Sequence, residues 1–140
     1  KKAVVSIGEL PTVKGYRRQL QQLFQNLISN ALKYSKPDVR PEIAIKCSRV
    51  KGVDAPLNLP HKLKDVQYYL IEVKDNGIGF EQENAEKIFQ MFQRLHGKTE
   101  YSGTGIGLSI ARKVVDNHHG FIWAESQPGE GASFKVLLPA

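Results

Sequence analysis

Residues 16–35, YRRQLQQLFQNLISNALKYS, constrain the chain more than any other stretch, because they carry two stripes at one helical spacing. Leu20, Leu23, Phe24, Leu27, Ile28 and Ala31 recur at i, i+3, i+4 and i+7, about 100° per residue, and make an apolar face that must lie on a core. Asn26, Asn30 and Lys33 recur at the same spacing on a neighbouring stripe, although asparagine is a mediocre helix former whose side chain competes for backbone hydrogen bonds. That stripe is either a solvated flank or a set of groups converging on a polar ligand. Carboxamide oxygens suit a hard cation, and an ammonium suits phosphate. The helix alone does not choose between the two.

Around this helix the chain reads as one α/β domain over residues 1–140. Residues 3–7 form a short β-rich run, broken by Gly8 and Pro11 before the helix. Pro37 disfavours helical geometry before it and stops the helix near Ser35. Residues 42–50 alternate apolar and polar, with Ile43, Ile45 and Cys47 on one face, and residues 66–75 resume strand character, so the two pair antiparallel. Between them, residues 51–65 hold Gly52, Pro56 and Pro60 without any period and read as a long hairpin loop. A short amphipathic helix is predicted over 82–92 with Ile88, Phe89 and Phe92 inward, then a polar loop. A third helix runs from Gly107 and Leu108 to about His118, capped by Gly120. Strands over 121–125 and 133–138 close the chain across a Gly-Glu-Gly turn. The order implies one layer of helices on a mixed sheet.

Two glycine-bearing segments carry candidate chemistry. Gly103, Thr104, Gly105, Ile106 and Gly107 precede a helix, an arrangement whose backbone N–H groups and positive helix end suit phosphate. The turn follows a polar loop instead of a strand, and neither G-x-G-x-x-G nor a Gly-Lys-Ser/Thr ending is present, so Rossmann and Walker sites do not apply. Asp75 ends a strand and is followed by Gly77 and Gly79, which admit close backbone approach. It is either a discriminating acceptor for an amino group or the start of an ordinary Asp-Asn-Gly turn. Arg94 and Lys98 are either phosphate-facing cations or solvated ones. His61, His96, His118 and His119 lack metal-ligand spacing, and no nucleophilic triad is visible.

Net charge of +6 favours an anionic partner, but no basic run is interleaved with aromatics, so a phosphorylated small molecule fits better than nucleic acid. The lone Cys47 cannot form an internal disulfide and reads as filler of a reducing compartment. No apolar run approaches the roughly 18 residues a membrane helix needs.

Taken in order, Asn-x-x-x-Asn-x-x-Lys-Tyr, Asp-x-Gly-x-Gly, a phenylalanine-rich segment, Gly-x-Gly-x-Gly-Leu and a closing Gly-x-Gly-x-x-Phe at Gly129, Gly131 and Phe134 resemble the ATP-binding domain of bacterial sensor histidine kinases. The wording around Arg94 and Tyr101 is most similar to the hybrid and phytochrome-type branch. The resemblance implies the Bergerat α/β sandwich with a flexible ATP lid at about 94–103. It implies Mg²⁺ on Asn30 with Asn26 beside it, phosphate on Lys33 and the nucleoside near Tyr34. Asp75 would accept from the adenine amine in a pocket shaped by Gly77 and Gly79. Phe89 and Phe92 match the phenylalanine box that positions the lid. Arg94 and Lys98 would reach phosphate, while Gly103, Thr104, Gly105, Ile106 and Gly107 line the phosphates and Leu108 begins the helix behind them.

The implied activity is transfer of the γ-phosphoryl group of ATP to a histidine on a separate dimerisation domain, since none of the four histidines here sits in the family's acceptor context. Implied partners are that domain and a response-regulator receiver domain, in a cytoplasmic, homodimeric parent of which this piece alone is monomeric. Related gyrase, chaperone and mismatch-repair ATPases use a glutamate to activate water where Asn26 stands, which favours kinase over hydrolase. The alternative is a degenerate nucleotide-binding or scaffolding domain that regulates a partner without transfer. Gly15-Tyr16 departs from the small residue and aspartate common before this helix, which leaves the helix cap in question.

Overall fold

The computed structural model describes residues 4–7, 15–89 and 107–140. The described elements are β1 (Val4–Ile7), α1 (Arg17–Lys33), β2 (Glu42–Lys51), β3 (Gln67–Asp75), α2 (Gly107–Asn117), β4 (Phe121–Ser126) and β5 (Ala132–Pro139). They form one five-stranded sheet in the order β1-β2-β3-β5-β4. β1 runs parallel to β2 through the α1 crossover, and every other pairing is antiparallel. This is the mixed sheet that the pattern implies.

The apolar stripe of α1 faces that sheet. Leu23, Leu27 and Ala31 are buried against Ile43, Ile45, Ile71, Val73, Phe134 and Val136, while Leu20, Phe24 and Ile28 pack at the margin. α2 adds Ala111, Val114 and Val115 to the same core. Each fully buried aliphatic contributes about 1.5–3 kcal/mol relative to exposure, so this layer supplies the main cohesion of the fold.

The opposite face of the sheet is covered too. Val136, Leu137 and Leu138 are buried in succession, which an alternating strand permits only if both its faces are covered. Leu137 joins Tyr68 and Leu59 in a second cluster, with Ala55, Leu57 and Leu63 packed around them. The predicted hairpin loop over 51–65 therefore folds back through two short 3₁₀ turns, Gly52–Asp54 and His61–Leu63, as a cover for the outer face.

Two expectations are corrected. In place of an α-helix over 82–92, the described part of this segment makes two 3₁₀ turns, Gln82–Asn84 and Lys87–Phe89. The Gln82 carboxamide explains the difference: its Nε2 donates to the Ala124 carbonyl at 3.1 Å, and its Oε1 accepts from the Ser126 N–H at 2.8 Å. Pinned to β4 at one end and to the core at Ile88 and Phe89, the segment is too short for regular helix. Ile88 and Phe89 do point inward, whereas Phe92 lies outside the described residues.

The second correction concerns the end of α2. The left-handed residue is His119, at φ 60°, and not Gly120. The Gly120 N–H bonds the Val115 carbonyl at 2.9 Å and the His119 N–H bonds the Asp116 carbonyl at 3.1 Å, a Schellman closure with histidine in the usual glycine place. Gly120 is needed for a different reason: a Cβ there would lie 2.2 Å from the Leu137 carbonyl oxygen.

Candidate functional site

The start of α1 has no side-chain cap from its own segment. Instead the Tyr16 N–H donates to Nε2 of His118, at the end of α2, at 2.9 Å, while His118 Nδ1 sits 2.8 Å from the Val114 carbonyl. A carbonyl only accepts, so the hydrogen is on Nδ1, and Nε2 is the acceptor that caps α1. Gly15 makes room for this, because a Cβ there would come within 2.4 Å of the imidazole. The departure at Gly15-Tyr16 is thus a cap supplied across helices.

α1 then braces both glycine segments. The Asn26 side chain donates from Nδ2 to the carbonyl of Gly107, the first residue of α2, at 3.1 Å. Eight residues on, about 12 Å along the axis, the Tyr34 carbonyl accepts from the Ile78 N–H at 2.9 Å. Asn30 and Lys33 lie between these braces on the same stripe. Among the described residues the Asn30 carboxamide has no hydrogen-bond partner, and the Lys33 ammonium, without an ion pair, rests 5.6 Å from the Tyr34 ring centroid.

The end of β3 is built by backbone interlock. Gly77 passes so close to α1 that a Cβ would lie 2.5 Å from the Tyr34 carbonyl oxygen. Gly79, at φ 69°, and Gly131, at φ 80°, bring the turn after β3 against the turn before β5; added Cβ atoms would lie 2.1 Å from the Gln127 and Asp75 carbonyl oxygens. What the absent Cβ atoms at Gly77 and Gly79 admit is therefore protein backbone. Asn76 extends the ladder with its side chain, accepting from the Glu42 N–H at 2.8 Å and donating to the Arg40 carbonyl at 3.0 Å.

Asp75 is the polar group this interlock holds. Its Oδ1 accepts from the Gly77 N–H at 2.8 Å and the Ala132 N–H at 3.2 Å. Its Oδ2 has no hydrogen bond among the described residues, so one carboxylate oxygen is committed and the other available. Burial pushes the carboxyl above the ordinary carboxylate range, and the two N–H groups offset this in part. A cavity of about 440 Å³ also touches Asp75, lined by Lys74, Gln82, Glu125, Glu130 and Ser133 among others, and α1 contributes no residue to its lining.

Phe89 is 3% exposed, meets Phe134 edge-on at 6.2 Å and lies under the Arg112 guanidinium at 4.9 Å. Arg112 also forks onto the Glu86 carboxylate at 3.1 Å. Neither Arg112 nor the Ser126 hydroxyl, which accepts from the Phe80 N–H at 2.9 Å and donates to the Gly131 carbonyl at 2.6 Å, had a sequence signal. The expectations for Arg94, Lys98, Phe92, Gly103, Thr104, Gly105 and Ile106 lie outside the described residues. Among the described residues no group of three or more His, Cys, Asp or Glu side chains comes together as a metal site. A hard cation would find its protein ligand in the Asn30 carboxamide oxygen, a donor type that fits Mg²⁺.

Residues 15–140 match the family described as histidine kinase-, DNA gyrase B-, and HSP90-like ATPase. Cyanobacterial phytochrome A of Nostoc sp. is 43% identical over 137 residues, 98% of this chain and 16% of that protein. The sensor protein kinase WalK of Staphylococcus saprophyticus is 37% identical over 123 residues, 86% of this chain and 18% of its own. The chain therefore spans less than a fifth of the length of these relatives. Among solved structures, the catalytic domain of the histidine kinase ThkA superposes with a TM-score of 0.68 at 26% identity, over 99% of this chain and 79% of that one. Full-length ShkA in complex with AMPPNP superposes with a TM-score of 0.71 at 21% identity, over 99% of this chain and 25% of that one. The fold is the Bergerat α/β sandwich expected from the motifs.

Proposed function

This chain belongs to the family of histidine kinase-, DNA gyrase B- and HSP90-like ATPases, and from that premise we propose that it binds Mg-ATP along α1 and passes the γ-phosphoryl group to a histidine supplied by a separate domain. The observation that carries the reading is Asp75, half-buried, with Oδ1 fixed by two backbone N–H groups and Oδ2 left to accept from an adenine amine. A desolvated acceptor discriminates strongly, because a base without the amine leaves it unpaired.

The other roles follow the stripe of α1. Asn30 would hold Mg²⁺ through Oδ1, Lys33 would meet phosphate, and Tyr34 would lie beside the nucleoside. Mg²⁺, when bound, neutralises charge between the phosphates, which is most of what phosphoryl transfer asks. Asn26 offers an amide where hydrolases of the family carry a glutamate, so α1 supplies no base for water at that position. An acceptor imidazole already has a lone pair at neutral pH and needs little such help. In the parent protein the acceptor histidine would lie on a dimerising helical hairpin, with a receiver domain downstream, in the cytoplasm; no described helix is long and apolar enough to cross a membrane.

The test is incubation of this chain with γ-labelled ATP and a hairpin domain bearing an acceptor histidine. The reading predicts acid-labile label on that domain, lost with Asn30→Ala. Release of inorganic phosphate with no labelled protein would contradict it.

A further inference from the structure

The two asparagines of α1 differ in what the protein already asks of them. Asn30 has no side-chain hydrogen bond among the described residues, whereas Asn26 spends its amino group on the Gly107 carbonyl at 3.1 Å. The orientation is fixed by chemistry: a carbonyl cannot donate, so only the Nδ2 end of the Asn26 carboxamide can face it. We infer that Asn26 is a positioning residue which ties the first residue of α2 to α1, and that Asn30 alone is the cation ligand of the pair. The inference deepens the proposed nucleotide site and rests on that reading for its functional consequence.

Three observations support the division. The bond joins residues 81 positions apart in sequence, and its acceptor is Gly107, the first residue of α2. Among the described residues no atom lies within 4 Å of where a Gly107 Cβ would be, so none of them packs there to hold the start of α2. The far end of the same helix pair is held by the His118 bond to the Tyr16 N–H and by Asn117 Nδ2 donating to Gln19 Oε1 at 3.2 Å. α1 and α2 are thus pinned by polar contacts at both ends of their overlap, and Asn26 is the pin at the start of α2. A glutamate or aspartate at position 26 would set a carboxylate against a carbonyl oxygen. The amide is therefore demanded by the tie itself, apart from any need to withhold a base.

The order of two substitutions separates a tie from a metal ligand. A ligand role predicts that Asn26→Asp, which keeps hard oxygen donors and adds charge, binds Mg-AMPPNP at least as well as the unaltered chain and better than Asn26→Ala. The tie predicts the reverse. Asn26→Ala should weaken AMPPNP binding about 3- to 10-fold and Asn26→Asp further still, with or without Mg²⁺, and both should speed amide exchange over residues 107–111. Asn30→Asp, as the control, should leave exchange there unchanged. Tight Mg-AMPPNP binding by Asn26→Asp with unaltered exchange would overturn the inference. If the unaltered chain does not bind AMPPNP, the proposed function fails, yet faster exchange in the nucleotide-free Asn26 variants would still support the tie and unchanged exchange would refute it.

Discussion

The corner around Asp75 and the start of α2 are both glycine-bearing and both touch α1, yet they are held in different ways. At the Asp75 corner, Gly77, Gly79 and Gly131 are glycines because neighbouring backbone occupies the space a Cβ would need. At the start of α2, no described atom lies within 4 Å of where a Gly107 Cβ would be, and a side-chain hydrogen bond from Asn26 ties this residue to α1. The lesson is that one part of the site is cast in backbone, with little freedom to change without unfolding, while the other is hung on side chains that can be exchanged singly. On the proposed function, a pocket that discriminates a base would gain from the first. A segment that accommodates phosphates before and after transfer would, on the same proposal, gain from the second.

Glycine substitution is the sharpest way to break this contrast. Gly131→Ala meets the Asp75 carbonyl at 2.1 Å and must hold φ near 80°. It should cost about 3 kcal/mol or more by urea denaturation. Arg112→Ala removes the guanidinium from the Phe89 ring and from Glu86, a pair more than a third exposed at both ends, and should cost about 1 kcal/mol. Gly107→Ala should run the other way, stabilising the chain by up to about 1 kcal/mol because alanine is the better helix residue there, while weakening AMPPNP binding if phosphate approaches that backbone. Equal destabilisation by Gly131→Ala and Gly107→Ala would erase the distinction between the two regions.

A pH titration sharpens it further. Burial raises the Asp75 carboxyl above the ordinary carboxylate range, so the folded chain keeps this proton to higher pH than the unfolded chain does. The stability that this group contributes is full below the unfolded value and is lost as pH rises through the folded one. Nucleotide binding has the opposite slope, since the ionised carboxylate is the better acceptor. Affinity for AMPPNP should therefore fall as pH drops from neutral toward the raised value, and an affinity that does not change with pH over that range would count against Asp75 as the acceptor.

Much of this was legible in the residues. The apolar stripe of α1 and the alternation of β2 foretell the inner core, because burial against one partner leaves a clean period. The outer layer was not legible, since residues 51–65 have no period and Leu59 is buried only by a loop that folds back over Tyr68 and Leu137. The order of Asn26, Asn30, Lys33, Asp75 and the glycines points to a candidate site, but gives no sign that Asn26 donates to the Gly107 carbonyl. Gly77 and Gly79 read as openings toward a ligand, whereas the space they leave is filled by Tyr34 and Gln127. The cap of α1 by His118 was equally hidden, because it joins residues 102 positions apart.

The most direct measurement of the central claim is a calorimetric titration with AMPPNP, with and without Mg²⁺, of the unaltered chain beside Asp75→Asn. Asparagine keeps an acceptor for the Gly77 and Ala132 N–H groups but turns an amide donor toward the base, so it changes recognition with little change in fold. The account predicts saturable binding that strengthens with Mg²⁺ in the unaltered chain and is abolished in the variant at unchanged melting temperature. Equal binding by both would contradict it.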